Sequence, residues 1–181
     1  MKAPELKTKD ASIKLIEPNV ERDAELGVQW LNGESGRATL RSMGNTEEVI
    51  DTMLPATLEQ EAERVRSFLV REDQLNWMIE YEGNVIGSVW VNLGDSKEVP
   101  GPSVHIMIGD PEMRGKGVGG SAISAVLEYL EEQGNKGIYS RHLTSNEGAD
   151  KLLQSLGFVD VGEPYLSDSL EFQNLMYINA V

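Results

Sequence analysis

"MIGDPEMRGKGVGG", residues 107–120, decides how this chain is read. It closes an apolar run, "SVHIMI" at 103–108, whose β-branched residues read as a strand. It opens onto a long amphipathic segment, 121–132, that reads as a helix. Between the two lie glycines 109, 115, 117, 119 and 120, with Arg114 and Lys116 among them. Glycines ahead of a helix let backbone N–H groups converge without Cβ obstruction, and the helix dipole adds partial positive charge. The segment is a candidate phosphate cradle.

Three templates compete for it. The Mg-nucleotide loop needs G-x-x-x-x-G-K-[ST], but Gly109 to Gly115 encloses five residues and Gly117 follows Lys116, so spacing and hydroxyl both fail. The dinucleotide fingerprint G-x-G-x-x-G matches Gly115, Gly117 and Gly120. Its context differs: "GDPEMR" separates it from the strand, and no acid follows at the distance of a ribose contact. Arg141 in "IYSRH" would suit a 2′-phosphate, which keeps an NADP-dependent oxidoreductase as an alternative. The third template, R-x-x-G-x-G, is matched by Arg114, Gly117 and Gly119.

Outward from the loop, "QLNWMIEYEGNVIGSVWVNLG" holds two apolar runs around Glu82-Gly83-Asn84, a β-hairpin signal. "SIKLIE" at 12–17 alternates as a first strand, and residues 1–11 read as a flexible tail. "VERDAELGVQWLN", "TEEVIDTML" and "TLEQEAERVRSFLVRED" carry helical spacing, whereas "NGESGRATLRSMGN" reads as a loop. After the long helix come a strand "KGIYSRHL", a short helix ending at Gly157, and strands "VDVGEP" and "LEFQNLMYI". The order is β-α-α-β-β-β-α-β-α-β-β. A central antiparallel hairpin argues against a doubly wound parallel sheet and for an α/β (α+β) fold. Its sheet is mixed and mostly antiparallel, with helices on both faces, in one domain over 12–181.

Bulk composition agrees. The 181 residues, 40% hydrophobic, suffice for one core. No apolar run reaches the length of a membrane span, and the polar N-terminus is not a secretory signal, so a cytoplasmic setting is expected. With no cysteine, disulfides and a thiolate nucleophile are excluded. A net charge of −14 argues against a nucleic-acid partner. It favours a cationic ligand, and an anionic one would need a locally basic pocket.

The R-x-x-G-x-G loop, with antiparallel strands before it and a long helix after, resembles the GNAT superfamily of acyl-CoA-dependent N-acetyltransferases. "NEGADKLLQSLGF" at 146–158 is similar to that family's second signature, N-x-x-A-x-x-L-Y-x-x-L-G-F, and "EFQNLMY" to its last strand. The resemblance covers residues 75–178. It implies acetyl-CoA as co-substrate, no metal, and a central strand pair that splays apart. Arg114, Gly115, Lys116, Gly117, Val118, Gly119 and Gly120 would then cradle the pyrophosphate. Main-chain groups of Ile106, Met107 and Ile108, with Asn146, would hold the pantetheine arm. A neutral amine would attack the thioester directly.

The general acid is the departure, because Leu153 stands where the family has tyrosine. Tyr139, Ser140 and Ser145 are candidates by neighbourhood. That vacancy also admits a second alternative, a non-catalytic acyl-CoA-binding module. His105 is the sharpest candidate base, since imidazole titrates near neutrality and sits in the expected thioester strand. Glu80, Asp110 and Glu112 are further acids, and His142 reads as a strand-edge residue. Trp30, Glu34, Trp77 and Trp90 are candidates for the acceptor side. The expected acceptor is a small-molecule or peptide amine: a polyamine, an aminoglycoside or a protein N-terminus. No membrane or nucleic-acid partner is expected, and the chain is expected to be a monomer or homodimer.

Overall fold

The computed structural model describes residues 2–43 and 45–179. One eight-stranded sheet runs in the order β1-β2-β3-β4-β5-β6-β8-β7. Its strands are β1 (Leu6–Lys7), β2 (Ile13–Ile16), β3 (Gln74–Tyr81), β4 (Asn84–Asn92), β5 (Ser103–Ile108), β6 (Gly137–Leu143), β7 (Val159–Ser167) and β8 (Leu170–Ile178). The helices are α1 (Val20–Leu31), α2 (Gly33–Ser42), α3 (Glu47–Thr52), α4 (Leu58–Val70), α5 (Val118–Glu132) and α6 (Glu147–Ser155). No helix among them is long and apolar enough to cross a membrane.

Every neighbouring strand pair is antiparallel except β5–β6, which is parallel. The β3–β4 pair is the expected hairpin, with Glu82 and Gly83 at positive φ in its turn. Side chains alternate across the sheet. Leu75, Trp77 and Ile79 of β3 and Val89 and Val91 of β4 bury one face against Ala122, Ile123, Val126 and Leu130 of α5. The other face is covered by α1 and α4, where Asn76 donates to the Phe68 carbonyl. The mixed, mostly antiparallel sheet with helices on both faces is the fold class the sequence predicts.

Two elements differ from the sequence reading. Residues 1–11 read as a loose tail, yet Leu6–Lys7 pairs with Leu15 and Lys14, and the Trp77 indole donates to the Pro4 carbonyl at 2.6 Å. The segment read as a loop after Trp30 is helix α2. Its glycines suggest a loop because glycine is costly inside a helix. Gly36, however, sits where a Cβ would overlap the Leu31 carbonyl, so close packing against the end of α1 selects it. Ion pairs then tie α2 to α3: Arg37 holds Glu47 and Asp51, and Arg41 holds Glu47 while also pairing with Glu34 within α2.

Candidate active site

The site begins where β5 and β6 part. Only Ser103 and Tyr139 pair between them, so the strands diverge beyond that point. The Pro102 carbonyl accepts from the Tyr139 amide, and the Val104 carbonyl from the Ser140 hydroxyl. Even-numbered residues of β5 therefore aim their main chain at β6. Strand periodicity carries the N–H and C=O of Ile106 into the open gap. The Ile108 carbonyl faces the same way, and the Arg114 guanidinium donates to it through Nε and Nη2 at 3.2 and 3.1 Å. Met107 differs: its carbonyl lies against Gly87 of β4, so only its side chain reaches the gap. Of the three expected main-chain partners, Ile106 offers both groups, Ile108 its amide alone, and Met107 neither.

Beyond β5 the chain makes a single 3-10 turn (Pro111–Met113) and enters α5 through the glycines. Gly115 and Gly117 adopt φ of +73° and +81°, a left-handed backbone that favours glycine. Gly117 caps α5, and its carbonyl accepts from the Ser121 amide. The amides of Val118, Gly119 and Gly120 consequently have no partner within the helix and face its N-terminal end. The Val118 side chain is core, so only its backbone is available here. Lys116 is exposed and lies outside the lining of either cavity described below.

A cavity of about 590 Å³ follows these groups from Ile106 past Gly115, Gly117, Gly119 and Gly120 to Asn146 and Leu152. Thr39 and Arg41 of α2 close its other side. Arg114 spans the two walls, because its Nη2 also donates to the Thr39 hydroxyl at 2.8 Å. Asn146 accepts from the Ala149 amide as the cap of α6, which leaves its Nδ2 as the donor.

A second cavity, about 310 Å³, adjoins the first and shares Ile106, Asn146 and Leu152 with it. Val104 and His105 point to opposite faces of β5, and both line it, so it passes through the parted strands. Trp90 stacks on His105 with centroids 5.5 Å apart, as their direct pairing across β4 and β5 requires. Arg141 of β6 and Phe172 of β8 form the far wall, the guanidinium 4.4 Å above the ring. Leu153 is buried in the wall and belongs to the hydrophobic core. His142 is also buried; its Nδ1 meets the Leu143 carbonyl, and its Nε2 lies 3.4 Å from Asp150 without a hydrogen bond.

Several expected site residues lie elsewhere. Trp77 is 1% exposed in the core and packs edge-on to Tyr129. Trp30 is buried beneath the turn after β5, where a Cβ on Gly109 would overlap its indole. Glu34 is exposed and paired to Arg41. Glu80 is partnered with Lys14 of β2, and neither it nor Tyr139 lines either cavity. Tyr139 shares a strand face with Arg141 but sits at the point where β6 still pairs with Ser103 of β5, and Ser140 and Arg141, beyond that point, line the smaller cavity.

His105 is in the cavity but is unsuited to act as a base. Burial first, and then the Arg141 charge, push it down to about 4. Gln74 donates to the Asn92 carbonyl oxygen at 2.6 Å, and the Asn92 amide nitrogen lies 3.3 Å from His105 Nε2. The Ser103 hydroxyl is 3.1 Å from the same nitrogen. Nε2 is thus the acceptor of that chain, and Nδ1 carries the proton. Sequence reasoning missed Thr39, because α2 read as a loop. It weighed Arg141 only for a nucleotide phosphate, and Arg141 lines the smaller cavity, away from the glycines. Among the described residues no group of three or more His, Asp or Glu could hold a metal ion.

Comparison with known proteins bears on this geometry. Residues 14–159 match the family model described as Acetyltransferase (GNAT) domain. A curated relative, an uncharacterized N-acetyltransferase (MJ1207) of Methanocaldococcus jannaschii, is 27% identical over 97 residues, or 50% of this chain and 42% of that protein. The match spans less than half the length of either curated relative, 19% in one and 42% in the other. Among solved structures, the microcin C7 self-immunity acetyltransferase MccE, in complex with acetyl-CoA and AMP, is similar with a TM-score of 0.72 at 15% identity. That likeness covers 94% of both chains. The ribosomal L7/L12 alpha-N-protein acetyltransferase RimL is similar with a TM-score of 0.74 at 12% identity, over 97% of this chain and 94% of that one. At such identities these likenesses establish the fold.

Proposed function

This chain belongs to the GNAT acetyltransferase family, and from that premise we propose that it transfers the acetyl group of acetyl-CoA to a primary amine. The observation that carries the reading is the free main chain of Ile106 in the parted strands, continuous with the glycine-lined N-terminus of α5. Pyrophosphate oxygens bind the amides of Val118, Gly119 and Gly120. The pantetheine arm lies along β5 as an added strand, bonded at Ile106 and at the Ile108 amide. Arg114 acts as a brace, holding the end of β5 and α2 around the arm. Acetyl-CoA is present in a cytoplasmic setting, which this reading entails.

The amine enters from the smaller cavity and attacks the thioester carbonyl carbon. Carbonyl polarisation comes from the Ile106 main chain, and alignment of the two reactants supplies much of the acceleration. The C–N bond forms, the C–S bond breaks, and the thiolate takes a proton. Among the described residues no carboxylate lines the amine's cavity, and His105 is neutral with its acceptor nitrogen occupied. The amine therefore arrives as free base, its proton lost to water. This replaces the base role expected of His105 or Glu80, and water takes the acid role expected of Tyr139. The thiol is acidic enough to leave without the tyrosine that Leu153 displaces.

Titration with acetyl-CoA, followed by thiol release against a panel of amines, tests this. Saturable binding with amine-dependent thiol release is expected, rising tenfold per pH unit below the pKa of the amine. Binding without turnover for every amine would indicate the acyl-CoA-binding module instead. Binding of NADPH in place of coenzyme A would overturn both.

A further inference from the structure

The smaller cavity has a one-sided chemistry that the acidic composition of the chain conceals. Arg141 donates through Nη1 to Glu98 at 2.8 Å and lies 3.3 Å from the Tyr165 hydroxyl through the same nitrogen. Its Nε and Nη2 have no hydrogen-bond partner among the described residues. Those two nitrogens form one edge of the guanidinium, the fork that meets a carboxylate or phosphate with two parallel bonds. Phe172 beneath the guanidinium and Glu98 at its other side hold that plane in place.

Two further donors stand beside it in a wall that is otherwise largely apolar. His105 has its acceptor nitrogen taken by Asn92 and Ser103, so it presents the Nδ1 proton. The Trp90 indole stacked on it is a donor only. Among the described residues no Asp or Glu lines the cavity. Glu98 is engaged with the far side of Arg141 and does not line the cavity, so a polycation would meet the free guanidinium edge and no lining carboxylate. This is the locally basic pocket that an anionic ligand needs on a chain of net charge −14.

We propose that the amine acceptor carries an acidic group, a carboxylate or phosphate, bound by the free Nε–Nη2 edge of Arg141 in the cavity between β5 and β6, with Trp90 and His105 against its body. The proposal rests on the acetyltransferase reading and narrows its substrate class. It replaces the polyamine and aminoglycoside expected from net charge with an amino-acid-like or phosphorylated amine. A cavity of about 310 Å³ accommodates a group of that size.

The test uses matched primary amines with and without the acid. Tyrosine against tyramine and β-alanine against ethylamine form the carboxylate arm; phosphoethanolamine against ethanolamine forms the phosphate arm. Thiol release is measured with wild-type protein, Arg141→Lys and Arg141→Gln. In at least one arm the acid-bearing amine is expected to have the higher kcat/KM. Arg141→Gln should raise its KM by about 10- to 100-fold, the loss of a charge-assisted bidentate contact. Arg141→Lys should recover only part of that, since it lacks the fork. The arm that responds identifies the acid. Acetyl-CoA affinity, measured separately, should match wild type in both variants, because Arg141 does not line the larger cavity. Equal preference within every pair, or no turnover of any pair by acetyl-CoA-loaded protein, overturns the proposal. Failure of wild-type protein to bind acetyl-CoA overturns the underlying reading instead.

Discussion

His105 shows how the surroundings of a residue bear on a role read from its sequence position. An imidazole in β5 invites a base assignment, but half-buried against Trp90 and facing a guanidinium it is held near 4. That depression links folding to pH. The unfolded chain protonates His105 at its ordinary value of 6.5, whereas the native state resists until about 4. Between those values the unfolded state binds more protons, so stability falls as pH is lowered from 6.5 towards 4. The gap is worth about 3 kcal/mol. His105→Gln keeps a polar amide but does not titrate, so its urea midpoint should fall less than wild type between pH 7 and pH 4.5. An identical fall in both would show that burial does not hold His105 neutral. Gly117 is the second decisive residue. Nothing lies within 4 Å of where its Cβ would be, so an added side chain meets no obstacle in the protein. The cost is the left-handed φ, about 1 kcal/mol for alanine. Gly117→Ala should therefore lower the melting point slightly, whereas Gly117→Asp should also weaken coenzyme A binding at least tenfold by placing a carboxylate beside the phosphates. Calorimetric titration of both variants separates strain from charge.

At the level of elements, the site depends on how α2 is fastened to the end of β5. Arg114 makes that joint, with the Ile108 carbonyl on one side and the Thr39 hydroxyl on the other. Burial lowers the guanidinium from its ordinary value, but it stays charged, since arginine does not deprotonate at working pH. Lysine can reach with one ammonium but lacks the Nε donor to the Ile108 carbonyl and the rigid plane that fixes both partners together. Arg114→Lys should cost about 1–3 kcal/mol of stability and raise the KM for acetyl-CoA, with kcat for the bound complex changed less. Loss of kcat at unchanged KM would mean that Arg114 touches the reacting atoms. The same joint marks how far sequence reading reaches. β3, β4, β5 and α5 were legible because alternation, the hairpin turn and helical spacing all agree there. The glycine loop was legible because four glycines within residues 115–120 are costly unless the backbone must bend or bind. α2 was not, since Gly33 and Gly36 oppose helix and only contact with Leu31 and α3 offsets them. Nor could sequence tell that Trp77 faces the core while Trp90 faces the cavity, because each β-hairpin strand needs its register to decide.

Across the whole molecule, charge and site oppose each other. The chain carries 30 acidic side chains against 16 Lys and Arg, yet the two adjoining cavities at β5 are the ones proposed to take negative groups. The field at a distance repels coenzyme A, whereas attraction comes only from short-range amides, the α5 dipole and a few cations. These two contributions have different ranges, and salt separates them. At 0.01 M ionic strength the screening length is about 30 Å, so an arriving polyanion senses most of the excess acid. At 0.15 M it is about 8 Å, and the long-range repulsion is largely gone while hydrogen bonds to the amides of Val118, Gly119 and Gly120 persist. The association rate constant for coenzyme A should therefore rise between these two conditions, the reverse of the usual behaviour of an anion binding a basic patch. The dissociation rate constant should change less, because it reports contacts already made. Stopped-flow mixing with a fluorescent coenzyme A analogue at several salt concentrations measures both. An association rate that falls with salt would mean that local cations such as Lys116 dominate the approach, and that the net charge of the chain is irrelevant to how its ligand arrives.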